Sequence, residues 1–551
     1  MVKKTTGISQ ILGNEKFQLA LILLLALLLF TLNIGRIPFT DGDTLYYAKM
    51  ARNMLETGNW LTLQYNIGSS DIHSKPPLMI WMMAASFKLF GVNEFGGTIW
   101  HSLLSVLTVL LVYLLGREMF GRRTGLASAI ILLTMAQFFY MARSPLMDMP
   151  LTLFITASLY SYYLFEKRRN LAFFYLTPVF MALAFLTKGP VGLALPALTI
   201  FIYILVNRKW PFKKAGNNLL HIILGVMVFL LVAAPWFVIE YIKFGKQFLD
   251  VFISSNFGRY LRPIDLTGQE AGLAIPTKPQ YNFYQYFLEI FVLVIPWSGF
   301  VYPALFYSYK KKELQYPFIW TAVVILFFTL SLNYKVSRYI LPAYPALALL
   351  IGRLTSEWLN GKKDTTKLIR IANLTNMFFV IPVLILAIIW LGLTFKQASP
   401  YYMPMILPFL IVMCVCLIAG STAFLLNKKL ASVSLYASVA AVSYLVLILL
   451  TAIYLPVALP IKEISEKINS LAKKGDIVCQ YKGTNPTFIR YYVRQEVRYL
   501  ADKDQLVEML ASNKKVYCMT ENTSGVEYAQ KQLKSRIRVI ETKGPYTLFG
   551  N

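Results

Sequence analysis

Three aspartates and five cations in this chain have the types and spacing to move a group off a phosphate. Asp41 and Asp43 bracket Gly42 just after the first apolar run, and Gly42 lets the backbone turn sharply between them. Asp148 opens a later apolar run, in Asp148-Met149-Pro150. A carboxylate at an apolar boundary is costly unless it is paired or used. Both Asp43 and Asp148 have a structural alternative, because each stands where a helix begins and could simply cap it. The chemical alternative for Asp43 is a general base that accepts the proton of an attacking hydroxyl, with Asp148 as a second acid. The cations are Lys75, Lys188, Arg259, Lys335 and Arg338. Singly, each could be a snorkelling interfacial residue. Together they could stabilise a phosphate, or a phosphate as it departs. Asp41, Asp43 and Asp148 could also hold a divalent cation, since hard cations prefer oxygen ligands. His73, His101 and His221 have no metal-cluster spacing.

The elements that must position these residues are membrane helices. The chain has 551 residues, 57% hydrophobic, with short basic clusters between long apolar runs. A helix needs about 20 apolar residues to cross ~30 Å of hydrocarbon. Spans are expected at about 17–35, 98–116, 124–142, 147–165, 171–187, 190–206, 218–242, 284–307, 317–333, 338–355, 372–395, 401–426 and 432–455. That is about 13 transmembrane helices. Cytoplasmic loops are enriched in Lys and Arg, so Lys3, Lys4 and Lys16 place the N-terminus inside, ahead of an uncleaved first helix. Arg122, Lys167, Lys209, Lys311, Lys363 and Lys428 mark later inner loops. If the apolar run at 77–92 also crossed, every later basic cluster would fall outside, so it is expected to be juxtamembrane or re-entrant. With these sides assigned, all the acids and cations above share the outer face.

Two outer segments are long, 36–97 and 243–283. The first carries an amphipathic stretch at 43–57, with Tyr46, Tyr47, Met50 and Met54 at helical spacing. After residue 455 short β-rich runs alternate with helical patterns, which predicts a small outer α/β domain over 456–551 behind a transmembrane domain over 1–455. The net charge of +27 marks topology rather than nucleic-acid binding. Four Cys make no disulfide framework, although Cys479 and Cys518 could pair in an oxidising space.

Taken in order, several motifs resemble the C-type-fold membrane glycosyltransferases. These are Asp41-Gly42-Asp43, Tyr47-Ala48-Lys49-Met50, Gly58-Asn59-Trp60, Lys75-Pro76-Pro77-Leu78, Asp148-Met149-Pro150, Leu186-Thr187-Lys188-Gly189-Pro190, Gly258-Arg259-Tyr260 and Lys335-Val336-Ser337-Arg338-Tyr339. The chain is most similar to the bacterial protein-mannosyltransferase-like group that includes the lipid A aminoarabinose transferases, over most of 15–355. The resemblance implies transfer of a sugar from a polyprenyl-phosphate donor to an acceptor hydroxyl at the periplasmic face of the inner membrane, with inversion. The acceptor would be a lipid A-like lipid, a glycan or a protein. Asp43 would be the base and Asp148 the second acidic residue. Lys75, Arg259, Lys335, Lys188 and Arg338 would hold the lipid phosphate. Asp41 is assigned as a second acid or metal ligand, and Tyr46, Tyr260 and Tyr284 to a substrate groove. A monomer is expected. Ser74 stands where those relatives usually have Glu, and Thr44 and Tyr46 also depart from their pattern, which leaves the donor sugar open. A transporter or flippase of a lipid-linked sugar is the alternative. It would place ionisable residues near the bilayer midplane and often show inverted repeats, neither of which is seen.

Overall fold

The computed structural model describes residues 14–39, 41–68, 72–208, 218–258, 282–331, 335–398, 403–482, 486–521, 523–533 and 537–551. Arg259 and Tyr260 lie outside them.

The first helix, α1 (Glu15–Thr31), begins where the Asn14 side chain accepts from the Lys16 amide and continues as a nearly uninterrupted Leu/Ala run. The amphipathic stretch forms α2 (Gly42–Thr57), which ends where Gly58 takes a φ of 69°. The run that parity barred from crossing is α3 (Leu78–Phe90). Its 13 residues rise only about 20 Å, too short for the hydrocarbon thickness. Next comes α4 (Glu94–Phe120), capped by Asn93.

Further along, α5 (Asp148–Arg168) is packed between neighbours on most of its surface. Helices α6 (Leu171–Lys188) and α7 (Pro190–Asn207) meet at Gly189. Then α8 (Gln315–Leu330) leads, through a 3-10 turn over Ser337–Ala343, to α9 (Tyr344–Leu359).

Among the described residues nine helices have the length and apolarity to cross a membrane, and a pair bent by 69° (Arg122–Leu133 and Ala136–Ala142) makes a tenth when counted as one broken span. They coincide with ten of the thirteen expected spans. The other three are helical but are shorter, broken or more polar. α5 starts at the buried Asp148 and ends in Glu166, Lys167 and Arg168, the last two exposed and paired with Glu118. The segment at 284–307 is broken between Leu293 and Val301. The segment at 338–355 begins as a 3-10 turn, leaving α9 only 16 residues.

The C-terminal part is an α/β unit, as expected. It opens with α10 (Ile461–Leu471) and β1 (Ile477–Tyr481), followed by α11 (Pro486–Tyr492), β2 (Val497–Leu500), β3 (Val516–Thr520), β4 (Arg538–Lys543) and β5 (Tyr546–Gly550). The sheet order is β2-β1-β3-β5-β4. β1 pairs parallel with both β2 and β3, while β5 joins β3 and β4 antiparallel. The central strands β3 and β5 are buried along their whole length, whereas β4 is an exposed edge. Cys479 and Cys518 stand opposite each other in the β1–β3 register as buried free thiols, so the possible pairing is not formed.

Separate apolar cores form in the helical bundle and on the two faces of the sheet. A further core packs α2 and α3 together with Trp236, Phe248 and Tyr491, which ties the juxtamembrane helices to the C-terminal domain.

Candidate active site

Asp41, not Asp43, caps α2. Its Oδ1 accepts from the amides of Asp43 at 2.9 Å and Thr44 at 3.3 Å. Gly42 is therefore the first helical residue rather than a turn between two acids. Burial pushes the Asp41 carboxyl above its ordinary range; Arg338 opposes this, and the Asp43 charge adds to it. With the cap filled by its neighbour, the Asp43 side chain is left for other work. It is 41% exposed, open enough for an incoming hydroxyl to reach.

Arg338 joins all three acids. Nη2 is 2.5 Å from Asp43 Oδ2, Nη1 is 3.4 Å from Asp41 Oδ2 and Nε is 3.4 Å from Asp148 Oδ2. A guanidinium offers donors in a fixed planar fork, so it can orient several carboxylates at once where an ammonium could not. Arg338, expected as a phosphate ligand, is thus committed to carboxylates.

Asp148 is 4% exposed and lies between two cations: its Oδ1 accepts from Lys188 Nζ at 2.5 Å. The Lys188 ammonium also sits 4.3 Å from the centre of the Tyr339 ring. Cation–π contact and ion pair together fix Lys188 at the α6–α7 corner. That corner is sharp because Gly189, at φ 71°, closes α6 with a 2.7 Å bond to the Phe185 carbonyl, and Pro190 starts α7.

Asn256 connects three of the motifs. Its Nδ2 lies 3.4 Å from the Ser74 carbonyl, next to Lys75, and its Oδ1 would be 3.1 Å from a Cβ at Gly189. It stands three residues before Arg259. The Asn256 amide therefore bonds to the chain beside Lys75 while lying against the Lys188 corner.

Lys335 does something not foreseen. Its ammonium donates to the carbonyls of Phe328, Thr329 and Ser331 at 2.9, 2.8 and 2.5 Å, closing the C-terminal end of α8. Burial pushes its pKa below the ordinary lysine value. The following residue is fastened by Tyr286, whose hydroxyl accepts from the Val336 amide at 3.1 Å.

Of the groove tyrosines, Tyr46 stacks on Tyr65 with centroids 4.9 Å apart, and its hydroxyl is 2.5 Å from His73 Nδ1. His73 Nε2 accepts from the Tyr65 amide at 3.3 Å, so the ring bridges the Tyr65 backbone and the Tyr46 hydroxyl. This couples α2 to the segment bearing Lys75. Tyr284 is exposed, with its ring against Phe283. Sequence reasoning passed over Asn256 as a site residue, and Tyr339, although inside a quoted motif, was given no role. Asn256 stands close to the Gly258-Arg259-Tyr260 motif, and that proximity was the available signal.

Among the described residues no three His, Cys, Asp or Glu side chains gather as a metal site. The cation between the three aspartates is the Arg338 guanidinium, and it takes an oxygen of each. This donor set, already neutralised by a guanidinium, does not fit a divalent ion.

A family model described as dolichyl-phosphate-mannose-protein mannosyltransferase matches residues 74–239. An uncharacterised protein of Aquifex aeolicus is 35% identical over 397 residues, covering 71% of this chain and 73% of that protein. The chain belongs to the protein-mannosyltransferase-like family of membrane glycosyltransferases. Another member, the undecaprenyl phosphate-alpha-4-amino-4-deoxy-L-arabinose arabinosyl transferase 2 of Proteus mirabilis, is 27% identical over 68% of this chain; the match spans 65% of that protein. Crystal structures of ArnT from Cupriavidus metallidurans, in the apo state and bound to undecaprenyl phosphate, align with TM-scores of 0.73 and 0.72. At 20% identity they cover 96% of this chain and 97% of theirs, which establishes the C-type glycosyltransferase fold along nearly the whole chain. This glycosyltransferase is accordingly a multi-pass membrane protein with a C-terminal sheet domain.

Proposed function

We propose that this protein transfers a sugar from a polyprenyl-phosphate donor to an acceptor hydroxyl on a lipid, glycan or protein. The reaction takes place at the periplasmic face of the inner membrane, with inversion at the anomeric carbon. The observation that carries this reading is the Arg338 fork, which holds Asp43 beside a partly open site while Asp148 and Lys188 are packed behind it. Relatives named for undecaprenyl-phosphate-linked aminoarabinose support the donor class.

The acceptor oxygen attacks the anomeric carbon as Asp43 takes its proton. The bond from that carbon to the phosphate oxygen breaks, and the electron pair leaves with the polyprenyl phosphate. Lys75 and Arg259 are the cations for the growing phosphate charge. Lys335 joins them by exchanging helix-end carbonyls for phosphate oxygens, and Lys188 contributes its field from its ion pair. Arg338 orients the base rather than the phosphate. Charges fixed before the reaction act more strongly in a site shielded from water.

The test is turnover of a defined polyprenyl-phosphate sugar by the purified protein in detergent. Release of free polyprenyl phosphate together with a glycosylated acceptor is the expected result. Donor recovered intact under all acceptors would overturn the reading and favour transport.

A further inference from the structure

The proposed chemistry uses residues no later than Arg338, yet the C-terminal domain is seated on the element that carries the base. Tyr491, at the end of α11, is buried in the juxtamembrane core, its ring centroid 5.7 Å from that of Phe39. Its carbonyl accepts from Arg52 Nη1 at 3.0 Å, which ties α11 to α2. The next residue reaches the active-site segment directly. Tyr492 Oη accepts from the Phe39 amide at 3.0 Å and donates to Glu94 Oε1 at 3.1 Å. Glu94 opens α4, is 3% exposed, and its other oxygen accepts from Lys462 Nζ of α10 at 2.9 Å.

We infer that the C-terminal domain is a positioning element of the active site, acting through Tyr492. This rests on the assignment of Asp43 as the base. The connected path is Lys462 to Glu94, Glu94 to the Tyr492 hydroxyl, that hydroxyl to the Phe39 amide, and two residues on to Asp41, which caps α2 and shares Arg338 with Asp43. Phe39 is 5% exposed, so its N–H has little access to water if the phenol is removed. The Glu94 charge strengthens the phenol's donation and so holds its acceptor lone pair towards Phe39. Burial, with the Glu94 charge adding to it, keeps the phenol protonated far above physiological pH, so the link survives wherever the enzyme works. Catalytic groups must be held to within about 0.5 Å of their working geometry. A helix cap two residues from a tether meets that need, whereas a free loop would not. The domain thus does more than cover the outer surface: it fixes where α2 begins, at its Asp41 cap.

The experiment compares full-length wild type with Tyr492→Phe and, as a control, Tyr499→Phe, whose ring is exposed on β2. Hydrogen–deuterium exchange of the peptide spanning residues 36–47 is read by mass spectrometry in detergent. Turnover is measured on a polyprenyl-phosphate sugar. Tyr492→Phe should speed exchange of that peptide at least fivefold, and lower kcat at least tenfold with donor KM within twofold. Tyr499→Phe should match wild type in both. Unchanged exchange in Tyr492→Phe overturns the tether whether or not turnover is detected. Faster exchange with unchanged kcat overturns its catalytic role. Absence of turnover in the wild type counts against the proposed function, and the exchange result still decides the tether.

Discussion

Arg338 Nη2 donates to Asp43 Oδ2 at 2.5 Å, joining residues 295 positions apart in the chain. The same guanidinium reaches Asp41 and Asp148. One cation therefore sets the orientation of a helix cap, the proposed base and a buried acid.

Replacing the proposed base, Asp43, should separate catalysis from binding. Asp43→Asn keeps the shape and loses the proton acceptor. General base catalysis contributes roughly a hundredfold to ten-thousandfold, so kcat should fall within that range. Affinity for polyprenyl phosphate, measured by microscale thermophoresis, should change less than threefold. A variant with full turnover would remove Asp43 from the mechanism.

Arg338→Lys should not rescue what Arg338→Ala loses. An ammonium keeps the charge but has no fork for three carboxylates. Both variants should lose at least tenfold in kcat/KM, with Arg338→Lys closer to Arg338→Ala than to wild type. Near-normal turnover in Arg338→Lys would mean that charge alone is needed.

Asp148 and Lys188 should be unequal in their effect on stability. Removing the Asp148 charge leaves two cations in a mostly buried site, and breaking a buried pair on one side costs about 3–5 kcal/mol. Removing the Lys188 charge leaves Asp148 still facing Arg338. Thermal unfolding in detergent should rank Asp148→Asn below Lys188→Met. The double variant should be less damaged than the sum of the two.

Gly189→Ala tests the corner. Its φ of 71° is strained for any side chain, and the new Cβ would press on Asn256. Such backbone strain costs about 1–3 kcal/mol. The thermal midpoint should fall, and donor KM should rise as Asn256 is pushed from the Ser74 carbonyl.

Lys335 predicts an alkaline limb. Burial lowers its pKa below the ordinary lysine value, so it loses its proton earlier than an exposed lysine as pH rises. The neutral amine cannot hold a phosphate, so kcat/KM for the donor should decline on the alkaline side before pH 10.5. That ratio reports the free enzyme. Lys335→Arg keeps its charge beyond pH 12 and should abolish the limb. A limb that persists in this variant belongs to another group.

Much of the architecture was legible because hydropathy and helix capping are local properties. Ten expected spans follow from runs of apolar residues alone, and α3 was barred from crossing by charge parity and by its length. The acids and cations could be picked out by their cost at an apolar boundary. Their division of labour could not. In Asp41-Gly42-Asp43 either acid suits an N-cap, and only the path of the chain into α2 puts Asp41 there. Lys335 and Arg338 are three residues apart and of the same charge, yet one closes a helix end and the other gathers carboxylates.

The amino-acid sequence by itself determined a polytopic membrane glycosyltransferase with an α/β tail and an aspartate base candidate, because burial period, charge bias and motif order are written along one dimension. Only the tertiary structure decided which acid is capped and which is open, that Arg338 rather than an ion sits among the aspartates, and that Tyr492 reaches Phe39. The last two are contacts between segments hundreds of residues apart. Their energies depend on distance and on exclusion of water, and neither exists until the helices have packed.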